Sequence, residues 1–285
     1  MDRLSSHRAT KEVVQKHNFK FSKSLGQNFL IDDNVIDRIL AGARLSEGDR
    51  VIEVGPGIGT LTREMGKVAD KVVAVEIDKT LIPILKETLE DLNNVEVVNQ
   101  DILKVDVEEL VKEKLDGGPV KLVANLPYYI TTPIVMKFLE EDIPVTDIVV
   151  MVQKEVADRI LASPSTKEYG SLTIFSNYYS KCTLIKNIPA CNFIPAPKVD
   201  SVFLKFKIIK EREFKGEIEK EFLTFVKKCF SMRRKTLFNV LSQFKLNKSE
   251  LLEISKNINI NFNQRAETLH LEDFKKMFLS INKSN

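Results

Sequence analysis

Cysteine is scarce in this sequence, and the three residues present, Cys182, Cys191 and Cys229, include no Cys-x-x-Cys pair. This scarcity argues against a disulfide framework and a zinc site, so we expect reduced thiols and no bound metal. Long hydrophobic runs are missing too: none approaches the ~18 residues that a membrane helix needs. Residues 1–20 are polar and basic and lack the apolar centre of a signal peptide. We therefore expect a cytoplasmic protein without a membrane partner.

Net charge is small, +3 over 285 residues, but it is unevenly distributed. Residues 1–30 contain six Lys and Arg against two Asp and Glu, and residues 211–285 contain 15 against ten. Residues 31–210 contain 22 against 28. An acidic centre with basic ends is typical of a catalytic body whose flanks contact a polyanion such as nucleic acid. Ordinary solvated Lys and Arg faces give the same pattern, so charge alone leaves both interpretations open.

Short apolar runs rich in β-branched residues alternate with stretches of helical periodicity in the first part of the chain. The runs are residues 51–54, 72–75, 95–98, 121–124 and 148–152, and the helical stretches include 61–68, 81–92, 107–115 and 133–141. This alternation predicts a doubly wound α/β fold, with a mostly parallel sheet between two layers of helices. Residues 169–181 and 201–209 are predicted to be further strands that complete the sheet.

The pattern becomes helical beyond residue 210. Apolar residues recur there at helical spacing, among them Phe222, Phe225, Val226 and Phe230. A charged stretch that ends at Gly216 marks the change. We therefore predict two domains, a larger one over residues 1–210 and a smaller all-helical one over residues 211–285.

A glycine-rich segment, Glu53-Val54-Gly55-Pro56-Gly57-Ile58-Gly59, follows the first predicted strand. Glycines at this place let the backbone turn tightly and let a ligand approach it closely. The spacing is G-x-G-x-G, with Thr60 after the third glycine, so the dinucleotide fingerprint G-x-G-x-x-G is not met. NAD and FAD are disfavoured, and a purely structural turn remains the alternative.

Polar side chains stand at the ends of the next three predicted strands: Glu76, Asp101 and Asn125. A carboxylate at Glu76 can accept hydrogen bonds from two ribose hydroxyls and repels a 2′-phosphate. A carboxylate at Asp101 can accept a hydrogen bond from an adenine amino group, with Ile77 and Ile102 beside the nucleoside. Strand-end acids also cap helices. In register with the glycine-rich turn, however, these residues predict a ligand with an adenosine portion and no phosphate.

The tetrapeptide Asn125-Leu126-Pro127-Tyr128 has a pattern that suits alkylation of an aromatic amine. Such an amine is a weak nucleophile because its lone pair is delocalised into the ring. The side-chain oxygen of Asn125 and the main-chain carbonyl of Leu126 can accept its two hydrogens and localise that lone pair. Pro127 stiffens the turn, and Tyr128 offers a ring on which a base can stack. A strand-ending turn without chemistry is the alternative.

These motifs resemble those of the bacterial rRNA adenine N6,N6-dimethyltransferases, over roughly residues 20–279. The resemblance also includes residues 23–30 (KSLGQNFL), 153–157 (QKEVA) and 193–201 (FIPAPKVDS). It implies a Rossmann-like methyltransferase sheet that takes S-adenosylmethionine and releases S-adenosylhomocysteine, with Asn28 and Leu30 joining Gly55 and Gly57 at this donor. It further implies that Phe193 stacks on the target base opposite Tyr128.

The implied substrate is a pair of adjacent adenosines in a hairpin loop near the 3′ end of 16S rRNA, in the assembling small ribosomal subunit. Each adenosine gains two methyl groups, and the enzyme acts as a monomer. We expect Arg233-Arg234-Lys235 to begin a helix and grip phosphate, with Lys198 as a weaker candidate. A large-subunit rRNA dimethyltransferase of the macrolide-resistance type and a non-catalytic ribosome assembly factor remain alternatives. A nicotinamide oxidoreductase is disfavoured by the glycine spacing.

Overall fold

The structure is a computed structural model that describes residues 3–244 and 246–282. The strands are β1 (Phe29–Leu30), β2 (Arg50–Val54), β3 (Lys71–Glu76), β4 (Val95–Asn99), β5 (Val120–Asn125), β6 (Val145–Gln153), β7 (Ser180–Ile188), β8 (Phe193–Ile194) and β9 (Ser201–Ile208). The helices are α1 (His7–Lys16), α2 (Asp33–Ala43), α3 (Thr60–Gly66), α4 (Ile82–Thr88), α5 (Val107–Lys114), α6 (Thr131–Glu140), α7 (Lys154–Ile160), α8 (Ser171–Tyr179), α9 (Gly216–Phe230), α10 (Leu237–Leu241), α11 (Lys248–Asn257) and α12 (Leu271–Asn282). None of the helices in the described ranges is long and apolar enough to cross a membrane.

Seven strands form one mixed sheet in the order β4-β3-β2-β5-β6-β9-β7. The first five in this order run parallel, and β9 pairs antiparallel with β6. Strands β2, β3, β5 and β6 are almost wholly buried, which is why they read as continuous apolar runs. The predicted doubly wound α/β fold is confirmed. Its order reverses between β2 and β5, which places a ligand crevice at the carboxyl ends of these strands.

The strand predicted over residues 169–181 is wrong. This stretch contains helix α8, followed at Ser180 by strand β7. Seven of the nine residues of α8 are buried, so apolar and β-branched residues occur on nearly all of its faces. A short, fully buried helix has no amphipathic period, and periodicity cannot separate it from a buried strand.

The described residues divide into two compact units. The first contains the residues up to Ala157 together with Lys181–Ile208. The second contains Asp158–Ser180 and the residues from Ile209 onward. Residues 158–180 fall within the predicted first domain, but helix α8 packs against α9 and α12 of the second unit. The buried aromatic side chains of α8 explain why this helix belongs to the second unit.

Aromatic rings form the core of the second unit. Phe222 of α9 contacts both Phe214 and Tyr178, with ring centroids 5.0 and 5.2 Å away, and these two rings also stack on each other at 6.5 Å. Phe278 of α12 contacts Phe214 edge to face at 5.2 Å. Such contacts add about 0.5–1.5 kcal/mol each to the burial of the rings. The helical period predicted from Phe222 onward therefore corresponds to a real buried face.

An N-terminal segment packs on the first unit beside the glycine-rich turn. Helix α1 begins at the Ser6 cap, whose side chain accepts a hydrogen bond from the Ala9 N–H. Phe19 and Phe29 stack at 5.8 Å in an apolar cluster that also contains residues of α4. This packing fixes residues 25–30 against the carboxyl edge of the sheet, where the predicted site residues lie.

Candidate functional site

A cleft of about 950 Å³, including its open mouth, lies at the carboxyl ends of β2, β3, β4 and β5. Its walls come from five segments, residues 25–30, 53–61, 75–81, 100–102 and 125–130. The structure thus brings most of the predicted site residues into one cleft: Asn28, Leu30, Gly55, Gly57, Glu76, Ile77, Asp101, Ile102, Asn125, Leu126, Pro127 and Tyr128. Parallel strands end at the same edge, so their terminal residues converge although they are far apart in the chain.

The glycine-rich turn after β2 requires glycine for two reasons. Gly55 and Gly57 have φ angles of +71° and +62°, a region that side chains strongly disfavour. A Cβ atom at Gly57 would also lie 2.9 Å from the ring of Phe29. The turn is therefore confined to glycine by its backbone conformation and, at Gly57, by close packing against Phe29 of the N-terminal segment, and both glycines line the cleft.

Glu76 ends β3 and is 5% exposed. Its carboxylate accepts a hydrogen bond from the Asp78 N–H at 2.7 Å. The N–H groups of Gly57 and Ile77 also stabilise the charged form of this carboxylate. Burial nevertheless raises the pKa of Glu76 to about 7. Near neutral pH this carboxylate is thus poised between its protonated form and the ionised form that accepts two hydroxyl hydrogen bonds.

Glu53 is a cleft residue that the sequence analysis did not single out. It is 1% exposed, and one of its carboxylate oxygens has no hydrogen-bond partner among the described residues. Burial, with a smaller contribution from the charge of Glu76, raises the pKa of Glu53 to about 8. The sequence feature that could have identified Glu53 is its position in the strand that leads into the glycine-rich turn. An unpartnered buried oxygen in a cleft wall fits a ligand that donates a hydrogen bond or carries positive charge.

Asp101 follows β4 and has a side chain that is 27% exposed. One of its oxygens accepts a hydrogen bond from the Leu103 N–H at 3.1 Å, so it also stabilises the following turn. Ile102 is 4% exposed and Ile77 is 42% exposed, and both line the cleft. The strand end therefore offers an acceptor and apolar surface together, which suits an adenine ring.

Asn125 is the last residue of β5, and its side-chain amide donates to the main-chain carbonyl of Asn28 at 3.1 Å. Because the NH₂ group is engaged in this way, the remaining group of the amide is an acceptor oxygen. The side chain of Leu126 is 1% exposed and anchors its main chain. The turn continues with the Pro127 carbonyl, which accepts from the Ile130 N–H at 3.2 Å and from the Thr131 hydroxyl at 3.0 Å.

Tyr128 is held by a partner that sequence analysis did not identify. Its hydroxyl forms a short hydrogen bond with the hydroxyl of Ser201, the first residue of β9. Burial raises the pKa of the Tyr128 phenol above its usual value, so the group stays neutral. Ser201 ends one of the motifs behind the family resemblance, but only the fold shows that it meets Tyr128.

Phe193 does not line the cleft. It belongs to β8, lies opposite Leu30 of β1, and is 2% exposed. Its ring packs in the core cluster that contains Ile36 and Phe203. In this structure Phe193 is therefore a core residue paired with the strand that carries Leu30, and its stacking on the target base stays a prediction of the resemblance.

The basic cluster at residues 233–235 does not begin a helix. It lies in the connection between α9, which ends at Phe230, and α10, which begins at Leu237. Arg233 donates hydrogen bonds to the carbonyls of Lys167 and Tyr169, at 2.7 and 3.1 Å, and lies 3.6 Å from Glu267. These contacts give Arg233 a structural role in the second unit.

Arg234 and Lys235 are exposed in the same connection, and Lys198 is exposed in the first unit. None of these cations lines the cleft. Their exposure leaves them available to an anionic partner. Among the described residues, no cluster of His, Cys, Asp and Glu has the arrangement of a metal site.

Comparison with known proteins extends the resemblance to nearly the whole chain. Residues 18–283 match the ribosomal RNA adenine dimethylase family. The chain is 65% identical to ribosomal RNA small subunit methyltransferase A of Clostridioides difficile (strain 630), over 99% of this chain and 98% of that protein. It is 48% identical to the protein of the same name from Bacillus licheniformis, over 93% and 92%.

Solved structures share the fold. A dimethyladenosine transferase from Plasmodium falciparum superposes with a TM-score of 0.77 at 28% identity, over 90% of this chain and 98% of that one. The 23S rRNA methyltransferase ErmE superposes with a TM-score of 0.70 at 27% identity, over 90% and 100%. The resemblance based on the motifs is confirmed: this chain belongs to the ribosomal RNA adenine dimethylase family.

Proposed function

We propose that this protein transfers methyl groups from S-adenosylmethionine to the N6 amines of two adjacent adenosines in a hairpin loop near the 3′ end of 16S rRNA. Two methyl groups go to each amine. The observation that carries the proposal is Asn125: it ends β5 in the cleft, and its amide is engaged by Asn28 so that its oxygen is the acceptor. A turn that only ends a strand would not require the Asn125 amide to be oriented in this way.

The cleft fits the donor. The bare turn at Gly55 and Gly57 accepts a close ligand, Glu76 suits the ribose hydroxyls, and Asp101 suits the adenine amino group. The unpartnered oxygen of Glu53 fits the positively charged end of the same molecule. When bound, S-adenosylmethionine supplies a methyl group activated by its attachment to a positively charged sulfur.

The chain's own contribution to the chemistry is orientation. The Asn125 oxygen and the Leu126 carbonyl accept the two hydrogens of the target amine, which draws its lone pair out of the ring. Tyr128, fixed by Ser201, offers a ring beside the tetrapeptide on which the base can stack. The alkylated nitrogen loses one proton to solvent, so no strong base is required. A base in a loop also reaches the cleft more cheaply than a paired base.

The small-subunit substrate is proposed because the relatives that match nearly full length, at 48–65% identity, are named small-subunit enzymes. Large-subunit rRNA remains the alternative substrate, because the 23S rRNA methyltransferase ErmE shares the fold at 27% identity. Exposed cations such as Arg234 and Lys198 are proposed to contact rRNA phosphates, and the enzyme is proposed to act as a monomer. Binding to an assembling subunit also allows a role in assembly.

The test is methylation of purified, unmethylated small subunits and of naked large-subunit RNA with labelled donor, by the wild-type protein and by Asn125→Ala. We expect incorporation only into small subunits and only with the wild-type protein. Incorporation only into large-subunit RNA would replace the proposed substrate, and equal activity of Asn125→Ala would remove the proposed chemistry.

A further inference from the structure

Tyr129 is the most exposed aromatic side chain of the cleft, and the proposed chemistry leaves it unused. It lines the cleft directly after the tetrapeptide, and half of its surface, 50%, is exposed. A ligand that covers an exposed aromatic ring in a cleft wall gains the free energy of removing that apolar surface from water. The ring of Tyr129 is therefore available to contribute to ligand binding.

Tyr128 and Tyr129 lie in one 3-10 turn, Tyr128–Ile130, in which successive residues diverge by about 120°. Tyr128 reaches the hydroxyl of Ser201. The two rings therefore leave the turn in different directions and cannot serve the same ligand face.

The direction of Tyr129 follows from its neighbours. A Cβ atom at Gly26 would lie 3.5 Å from Cδ1 of Tyr129, so the ring rests on the backbone of the N-terminal segment. Partial burial, together with the charges of Asp101 and Glu76, raises the pKa of the Tyr129 phenol. Tyr129 thus shares its cleft with the two carboxylates assigned to the donor's adenosine, whereas the Tyr128 hydroxyl is held by Ser201 of β9.

We propose that Tyr129 is a positioning residue for the methyl donor: its ring packs on the adenosine portion and covers it, while Tyr128 serves the target base. The inference rests on the proposed function, because it assigns a further residue to the donor side of the same cleft. The contact is apolar, so it depends on the ring and not on the phenol hydroxyl.

The experiment is calorimetric titration of S-adenosylhomocysteine, without RNA, into the wild-type protein, Tyr129→Ala, Tyr129→Phe and Leu184→Ala. Loss of one base-stacking ring weakens binding by about tenfold, so we expect that rise in Kd for Tyr129→Ala. Tyr129→Phe is expected to bind as the wild type does. Leu184, which is 49% exposed on β7 and outside the cleft, is the control for loss of an exposed apolar side chain.

Two further readouts separate the possible roles. The nucleoside 5′-methylthioadenosine lacks the amino-acid half of the donor, and Tyr129→Ala is expected to weaken it by the same factor. The KM for unmethylated small subunits is expected to stay within about twofold of wild type, since that change is only a few tenths of a kcal/mol.

Three results would overturn the inference: an unchanged Kd in Tyr129→Ala, an effect on KM for subunits alone, or a loss seen with S-adenosylhomocysteine but not with 5′-methylthioadenosine. A wild-type protein that binds no S-adenosylhomocysteine would instead overturn the proposed function itself. Normal wild-type binding with an unaffected Tyr129→Ala would leave that function standing and remove only the role of Tyr129.

Discussion

The side-chain amide of Asn125 donates a hydrogen bond to the main-chain carbonyl of Asn28, 3.1 Å away and 97 residues earlier in the chain. This contact joins the end of β5 to the N-terminal segment and leaves the Asn125 oxygen as the acceptor. The orientation of the side chain that is proposed to carry the chemistry thus depends on a segment that lies outside the main sheet.

Asn125→Ala is expected to lower the methylation rate by about 10²–10³-fold, because it removes the acceptor that is proposed to bind the reacting amine. The Kd for S-adenosylhomocysteine should change only a few-fold, since the glycine-rich turn, Glu76 and Asp101 are untouched. Rates from labelled donor and affinities from calorimetry check the two effects. A near-normal rate would remove Asn125 from its role.

Donor affinity is expected to depend on pH through Glu76. Burial raises the pKa of Glu76 to about 7, and the ionised form is the one proposed to accept the ribose hydroxyls. Affinity should therefore increase as pH rises, with Kd falling by roughly tenfold between about pH 6 and pH 8. Glu76→Gln should bind more weakly, by about 2 kcal/mol, and lose most of this dependence. A flat or inverted profile for the wild-type protein argues against the ribose assignment.

Glu53 is expected to make the free protein less stable as pH rises. Burial raises the pKa of Glu53 to about 8, well above that of an unfolded carboxyl, so the folded state binds the extra proton. The contribution of Glu53 to the free energy of unfolding is therefore fully present below about pH 4.5 and is lost as pH rises to about 8.

Glu53→Gln removes this linkage. Relative to wild type, it should gain stability on the order of 2 kcal/mol between pH 6 and pH 8. Denaturant unfolding at several pH values measures the difference. A constant difference across this range would mean that Glu53 does not titrate there.

The basic connection between α9 and α10 gives a prediction about RNA. Arg234→Glu with Lys235→Glu should weaken binding to small subunits and reduce the salt slope by about 2, because two phosphate contacts are lost. Donor affinity should not change.

The matched control, Lys220→Glu with Lys256→Glu, makes the same change of net charge at exposed positions on α9 and α11. If both double variants lost small-subunit binding equally, the cause would be overall charge and not a specific contact of the connection between α9 and α10. Arg233 is left out because it holds the carbonyls of Lys167 and Tyr169, so its substitution would also disturb the second unit.

The convergence of Gly55, Glu76, Asp101 and Asn125 was predictable because parallel strands end at one edge, and strand ends can be read from short apolar runs. The contacts Asn125–Asn28 and Tyr128–Ser201 were not, since they join segments 97 and 73 residues apart without a local pattern. The burial of Phe193 depends on its pairing with Leu30, which no periodicity reveals. The membership of α8 in the second unit was hidden because the helix is apolar on nearly all faces.

The most direct test of the central claim is a mass spectrum of 16S rRNA from cells with and without this protein. We predict two adjacent adenosines near the 3′ end that each carry two methyl groups when the protein is present. Without it, both should be unmethylated, and the Asn125→Ala form should not restore them. Identical spectra from the two cells, or a difference confined to large-subunit rRNA, would contradict the account.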